Sequence, residues 1–196
     1  MNNSLRNRLL ALVATAAAAG VSVGAVDIAT VVGDHFEGTG PTVQKNGQIY
    51  YRPYKDPVGI WTVCRGVTGK GVAPGKLYTH NECSSMERER LLVAEEAAQR
   101  NVGTYAALNP WAKAALIDFF YNAGEKPATV QSTLVRKFRA GDIDGGCNEL
   151  VKWVNGRVDG QLVKLPGLVN RREATQELCL YWGRPGYPGY TKGGKA

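Results

Sequence analysis

The sequence predicts an α+β protein, with a small β-containing N-terminal lobe followed by a larger helical lobe. Three observations carry this. Residues 37–71 are rich in Gly, Pro, Tyr and Thr and contain the strand-like Ile60-Trp61-Thr62-Val63. After residue 80 the apolar spacing turns helical, with recognisable starts and stops. An uncharged run of 18 residues, 9–26, precedes both regions.

That run comes after Arg6 and Arg8. A membrane helix needs about 20 apolar residues, so its length is roughly sufficient. The basic flank argues for a cytoplasmic N-terminus and export of the remainder of the chain. Nine of the 18 residues are Ala or Gly, which hide little apolar area, and Thr15 and Ser22 add polarity. The segment 1–32 is therefore expected to be an export segment and a weak membrane anchor. It has two possible fates: cleavage near 16–19, or later release from the bilayer. A buried Ala-rich helix of a soluble protein is the alternative.

In the β-containing region, Tyr50 and Tyr51 lead into Arg52-Pro53, and a Gly59 turn precedes the 60–63 strand. Ser84-x-x-Glu87 has the spacing of a capping box and is expected to start a helix reaching about Asn101. Asn109-Pro110 starts the candidate central helix, 111–121, because proline lacks the amide that a first turn leaves unpaired. Gly124 stops it. An amphipathic segment at 129–140 ends at Gly141, and Asp144 is a candidate cap for a helix to about Val154. A last helix is expected over 169–182, with Ala174, Leu178 and Tyr181 on one face. The Gly/Pro-rich stretch 183–196 is expected to be an extended or mobile tail.

The formal charge of +7 suits a polyanionic partner such as nucleic acid, anionic lipid or an acidic bacterial wall. The basic residues are scattered, and neither a Cys/His finger nor a helix-turn-helix signal accompanies them, so nucleic acid is not the expected partner. Cys64, Cys83, Cys147 and Cys179 allow two disulfides in three pairings, and export favours them over free thiols. There is no CxxC, and His35 and His80 are the only histidines, which leaves little for a zinc site.

The chemistry rests on Glu37 and Asp56. Glycoside hydrolysis needs one carboxyl group protonated at the leaving oxygen and a second ionised to activate water or attack the sugar. Glu37, between Phe36 and Gly38, suits the protonated role, and Asp56, in a turn with Lys55 and Pro57, the ionised one. A strand past Gly59 brings the Thr62 hydroxyl back beside Asp56, where it can hold a water. Alone, a Glu-Gly pair and an Asp-Pro turn are common surface features.

The ordered set is more specific. Glu37-Gly38, Tyr54-x-Asp56-x-x-Gly59-x-x-Thr62-Val63, Gly66 and Thr68-Gly69 resemble the active-site region of the phage-type lysozymes, the endolysins related to T4 lysozyme. Tyr121-Asn122-Ala123-Gly124, Leu134-Val135-Arg136-Lys137, Pro166-Gly167-Leu168 and Asn170-Arg171-Arg172 resemble the family's helical lobe. The resemblance runs over about 33–182 and implies a lysozyme-like catalytic domain there. It implies hydrolysis of the β-1,4 bond between N-acetylmuramic acid and N-acetylglucosamine in peptidoglycan, lysing the host cell. It implies Glu37 as general acid, Asp56 as the residue that orients or deprotonates water, and Thr62 as its helper. Asn122 becomes a cleft residue, and Arg171 or Arg172 an arginine near the acid. No metal or organic cofactor is implied, and a monomer is expected.

The chain departs from the pattern in three places. Residues 39–52 lengthen the spacing between Glu37 and Asp56 and are expected to form a longer loop at the cleft mouth, at modest entropic cost. Val67 replaces a common histidine, and Cys64-Arg65 replaces the commoner Gly-Tyr or Gly-Ile pair. The Ala/Gly-rich run resembles the signal-arrest-release segments of some endolysins. These pass through the host export machinery, wait at the inner membrane and then enter the periplasm. Residues 1–32 contain no cysteine, so a cysteine-exchange switch in that segment is not available. Competing readings are a lytic transglycosylase, which predicts 1,6-anhydro product ends, a non-catalytic peptidoglycan-binding protein, and a membrane-anchored structural protein.

Overall fold

A computed structural model of the chain describes residues 1–56, 59–69, 71–158 and 160–190. The N-terminal apolar run is divided. Helix α1 (Asn3–Ala18) closes with Gly20 N–H on the Ala17 carbonyl and Val21 N–H on that of Ala16, at 3.1 and 3.0 Å. Helix α2 (Ala25–Phe36) then begins after Gly24. Among the described residues no helix is long and apolar enough to cross a membrane. Instead Leu5, Leu9, Ile28, Ala29 and Val32 are fully buried in the main core. Burying a Leu, Ile or Val side chain stabilises by roughly 1.5–3 kcal/mol, so this segment is a substantial part of the folded body.

Two hairpin-like units come next. Strands β1 (Thr42–Lys45) and β2 (Gln48–Tyr51) pair antiparallel, with Thr42 opposite Tyr51. The expected long loop over 39–52 is thus largely a hairpin. Strands β3 (Tyr54–Lys55), β4 (Trp61–Val63) and β5 (Val67–Thr68) form a second antiparallel sheet in that order. Gly40 ties the exit of α2 to this sheet: its φ is +65°, and a Cβ there would come within 2.7 Å of the Cys64 carbonyl oxygen and 3.3 Å of the Tyr54 ring. Val63, Cys64, Val67, Val72, Tyr78 and Cys83 make a small separate core.

Helix α3 (His80–Asn101) starts earlier than expected. Its capping box is Thr79 with Glu82: Thr79 Oγ1 accepts from Glu82 N, and Glu82 Oε2 accepts from Thr79 N at 2.8 Å. Ser84 lies inside the helix, and Glu87 is used elsewhere, accepting from Arg65 N and Nη1 at 3.0 Å. Helix α4 (Pro110–Ala123) has Asn109 as N-cap and Gly124 at its end, as expected. It is apolar nearly all round and packs against α2 and α3 at the centre of the large lobe.

The expected 129–140 helix is split into α5 (Pro127–Val130) and α6 (Thr133–Arg139), because the Ser132 side chain caps a new start. Asp142, not Asp144, caps α7 (Ile143–Glu149); Asp144 pairs with Arg184 instead. A third hairpin, β6 (Asn155–Val158) and β7 (Gln161–Lys164), was not anticipated. Helix α8 (Pro166–Leu180) has proline in its first turn and packs on α4. Ala174 and Leu178 are buried, but Tyr181 is 43% exposed because the helix has already ended. The tail through Tyr190 forms turns rather than an extended strand, with Gly183 N–H donating to the Pro188 carbonyl.

All four cysteines are bonded. Cys64–Cys83 ties the β4–β5 turn to α3, and Cys147–Cys179 ties α7 to α8. The free-thiol alternative is thereby set aside.

Candidate active site

Glu37 caps the C-terminus of α2 in an extended conformation (φ −87°, ψ 138°), where its side chain is 28% exposed. Arg171 of α8 donates to its Oε1 from Nη1 at 2.5 Å. The rest of that guanidinium is committed to Asp118 of α4: Nη2 lies 2.8 Å from Oδ1, and Nε 3.0 and 3.1 Å from the two oxygens. Arg172 brings Nη1 to the other Asp118 oxygen at 3.1 Å and donates from Nη2 to the Asn122 side-chain oxygen.

Asp118, Arg171 and Arg172 are all buried. Buried charges are tolerable only when paired and fully hydrogen-bonded. Here two arginines meet two acids, so the group is balanced. For Arg171, burial works against the charge, but Asp118 and Glu37 outweigh it and raise the guanidinium above its usual value. For Arg172, burial prevails over Asp118 and the value falls. Aromatic faces complete the cage: Phe36 and Tyr121 lie 5.8 and 6.0 Å from Arg171, and Phe119 lies 5.5 Å from Arg172. Burial, helped by the charge of Glu37, pushes the Tyr121 phenol up to about 12, so it stays protonated at neutral pH. Its hydroxyl donates to the Arg65 carbonyl at 3.3 Å.

Glu37, Gly66, Thr68, Arg90, Tyr121 and Asn122 line a common cleft of about 420 Å³. Arg90 secures its β-side wall by donating to the Thr68 carbonyl. Thr68 is the register partner of Thr62, which in turn faces Tyr54 across β3. Asp56 closes the β3–β4 connection: its amide donates to the Ile60 carbonyl at 3.0 Å, and its Oδ1 accepts from Ile60 N at 2.9 Å. Thr62 is buried, and its hydroxyl donates to that same Ile60 carbonyl at 3.2 Å. Pro57 of the expected turn lies outside the described residues.

The structure thus brings Glu37 and Asn122 to one cleft, with Arg171 bonded to Glu37, while Asp56 and Thr62 share one carbonyl on the adjoining sheet. Of the two arginines, Arg171 donates to Glu37 and Arg172 to Asn122. Asp118 and Tyr121 are part of this arrangement; in the sequence Tyr121 stands only as a motif residue, and Asp118 is not singled out. Asp118 had a visible signal, a lone acid within the apolar Ala114-Ala115-Leu116-Ile117-Asp118-Phe119-Phe120. Such a residue must find a buried cation.

Among the described residues no group of three or more His, Cys, Asp or Glu side chains is placed to hold a metal ion.

Comparison with known proteins identifies the family. The family model described as Phage lysozyme matches residues 44–175, a span that starts after Glu37. The SAR-endolysin of Bacteriophage PS119 is 37% identical over 184 residues, covering 94% of this chain and 98% of that protein. The SAR-endolysin of Enterobacteria phage PA-2 is 39% identical, covering 86% and 95%. In fold, the endolysin of the Escherichia coli O157:H7 phage FAHEc1 superposes with a TM-score of 0.65 at 23% identity, covering 84% of this chain and 93% of that one. With its two-lobe fold, its cleft acid and relatives matched almost end to end, the chain belongs to the phage lysozyme family and is a glycoside hydrolase of peptidoglycan.

Proposed function

We propose that Glu37 is the general acid of this muramidase and that Asp56, helped by Thr62, activates the attacking water. The supporting observation is the tie between Glu37 and Arg171, which fixes the carboxylate at the rim of the cleft that Asn122 also lines. A general acid must be positioned at the glycosidic oxygen before it can donate. Sharing Arg171 with Asp118 lets the guanidinium position Glu37 without its charge resting on Glu37 alone. On the sheet side, the Asp56 carboxylate accepts from Ile60 N and the Thr62 hydroxyl donates to the Ile60 carbonyl, which supports their holding a water for direct displacement of a β-1,4 muramyl bond.

Glu37→Gln should lower the release of reducing ends from purified peptidoglycan by about 10²–10⁴-fold while circular dichroism stays unchanged. Full activity in that variant sinks the assignment. Product mass separates the runner-up, since 1,6-anhydro ends denote a transglycosylase.

The same proposal extends to residues 1–32. They serve first as an uncleaved anchor in the host inner membrane, reached through the host export machinery, with the N-terminus cytoplasmic. Release then delivers a monomeric enzyme to the periplasm. The basic flank, the Ala/Gly-rich run and the name SAR-endolysin carried by both relatives support this. So does the folded arrangement, in which Leu5, Leu9 and Ile28 need the body's core once they leave lipid. Because Glu37 directly succeeds α2, a bilayer-held segment constrains where the acid sits, and release positions it. N-terminal sequencing of membrane and soluble fractions tests the anchor. A mature chain starting after Ala19 or Ala25 is incompatible with release of an intact segment.

A further inference from the structure

A second cavity, of about 510 Å³, lies away from the catalytic cleft. Arg6 of α1, Asn148 of α7, four residues of α8 and the turns of the tail line it. The α8 residues are Glu173, Gln176, Glu177 and Leu180. At about 100° per residue they lie roughly 140–240° around the helix from Arg171, on its opposite face. A ligand here therefore does not touch the catalytic group.

The chemistry of the lining is specific. Tyr181 and Tyr187 stack on each other, with ring centroids 5.2 Å apart, and each is close to half exposed. Gln176 Nε2 donates to Asn148 Oδ1 at 3.0 Å, which leaves one amide oxygen and one amide NH₂ unspent toward the cavity. Glu177 is paired with both Arg6, at 2.5 Å, and the N-terminal ammonium of Met1, at 2.7 Å, and Glu173 adds a further carboxylate. Two cations thus meet two carboxylates and the site is near neutral, so no net charge draws phosphate, anionic lipid or the carboxylates of wall peptides to it. Flat aromatic faces beside amide and carboxylate groups suit an uncharged polyhydroxyl ligand whose C–H face lies on a ring. The volume falls within the ~300–1,000 Å³ typical of small-molecule sites.

The tail is built to hold this wall. Arg184 pairs with Asp144, Gly183 N–H donates to the Pro188 carbonyl at 2.7 Å, and Tyr187 N–H to the Arg184 carbonyl at 3.0 Å. Gly189 sits on the Trp111 indole, where any Cβ would overlap the ring. The Gly/Pro-rich sequence therefore serves close packing and fixes Tyr187 against Tyr181.

We propose that this cavity is a second, non-catalytic saccharide site that takes N-acetylhexosamine units of a glycan strand. The proposal rests on the reading of the chain as a peptidoglycan hydrolase. A second contact with an insoluble polymer turns rebinding into an intramolecular event and raises avidity without changing the chemistry. Because Arg6 forms one wall, the site is complete only when α1 lies on the body.

The test uses the full chain. In a Glu37→Gln background, Tyr181→Ala combined with Tyr187→Ala should weaken co-sedimentation with peptide-free glycan strands by about tenfold. With Glu37 intact, the same double variant should turn over short soluble wall fragments at the parent rate. N-acetylglucosamine tetramer added to the parent should shift the side-chain amide resonances of Gln176 and Asn148. Gln176→Ala, which leaves both rings in place, repeats the binding test should the double variant fold poorly. Unchanged co-sedimentation in these variants, or unshifted amides, overturns the second site. Failure of the parent to cleave any wall fragment overturns the catalytic reading instead. Binding to free stem peptides but not to stripped strands overturns the saccharide assignment.

Discussion

Glu37 is fastened by a guanidinium 134 residues further along the chain, whereas Asp56 is fastened by the amide only four residues on. The first arrangement needs the large lobe to be folded: α2 supplies the acid, α8 the arginine and α4 the aspartate that holds the arginine. The second includes a bond closed within four residues, between two short strands. One carboxylate is thus placed by global packing and the other by local geometry. Anything that disturbs the helical lobe should reach Glu37 first and leave the Asp56 turn in place.

The largest expected effect is at the hub of the long-range side. Asp118→Asn leaves two buried guanidinium groups with one anion fewer, and breaking a buried pair in this way costs about 3–5 kcal/mol. Urea unfolding monitored by circular dichroism measures this. A loss under about 1 kcal/mol would mean that the network does not hold the lobe together. Asp56→Asn is the counterpart. The amide keeps an oxygen for Ile60 N, so this bond survives and the loss of stability should stay well below that of Asp118→Asn. Wall hydrolysis should nonetheless fall by about 10²-fold or more, because an amide cannot take a proton from water. If Asp56→Asn destabilises as much as Asp118→Asn, the contrast between the two carboxylates fails.

The same division explains what is legible in the sequence. The central helix is legible from Asn109-Pro110 and Gly124, because caps and stops are local. The β1–β2 hairpin has an equally local signal: Asn46-Gly47 adopt φ of +51° and +74°, the backbone of a two-residue hairpin turn, although composition alone suggests a loop there. The start of α3 is ambiguous because two S/T-x-x-E spacings lie five residues apart, and only tertiary structure reveals that Glu87 is taken by Arg65. The union of Glu37, Asp118 and Arg171 has no local signature, since its members belong to three helices. Resemblance to a family brings Glu37 and Arg171 forward, but not Asp118. Within 183–190, Gly183 and Gly189 lie close against Trp111, a contact that composition does not reveal.

Helix α3 carries the contrast at smaller scale, in two glutamates five residues apart. Glu82 is partly exposed and held locally: its hydrogen bond with Lys76 first, then those with Thr79, lower its carboxyl from 4.5 to about 2. A depressed folded value means stability that is present above about 4.5 and lost as pH falls toward 2. Glu87 is held at long range. Burial, opposed by Arg65, raises its carboxyl above 4.5, so its contribution is full below that pH and is lost as pH rises through the folded value. The two substitutions should therefore tilt in opposite directions. The melting-temperature gap between the parent and Glu82→Gln should shrink on acidification from 4.5 toward 2. The melting temperature of the parent should fall relative to that of Glu87→Gln on going upward from 4.5. Melting curves in small pH steps measure both slopes. Slopes of the same sign would show that Glu87, like Glu82, is governed by its immediate hydrogen bonds rather than by its burial between the lobes.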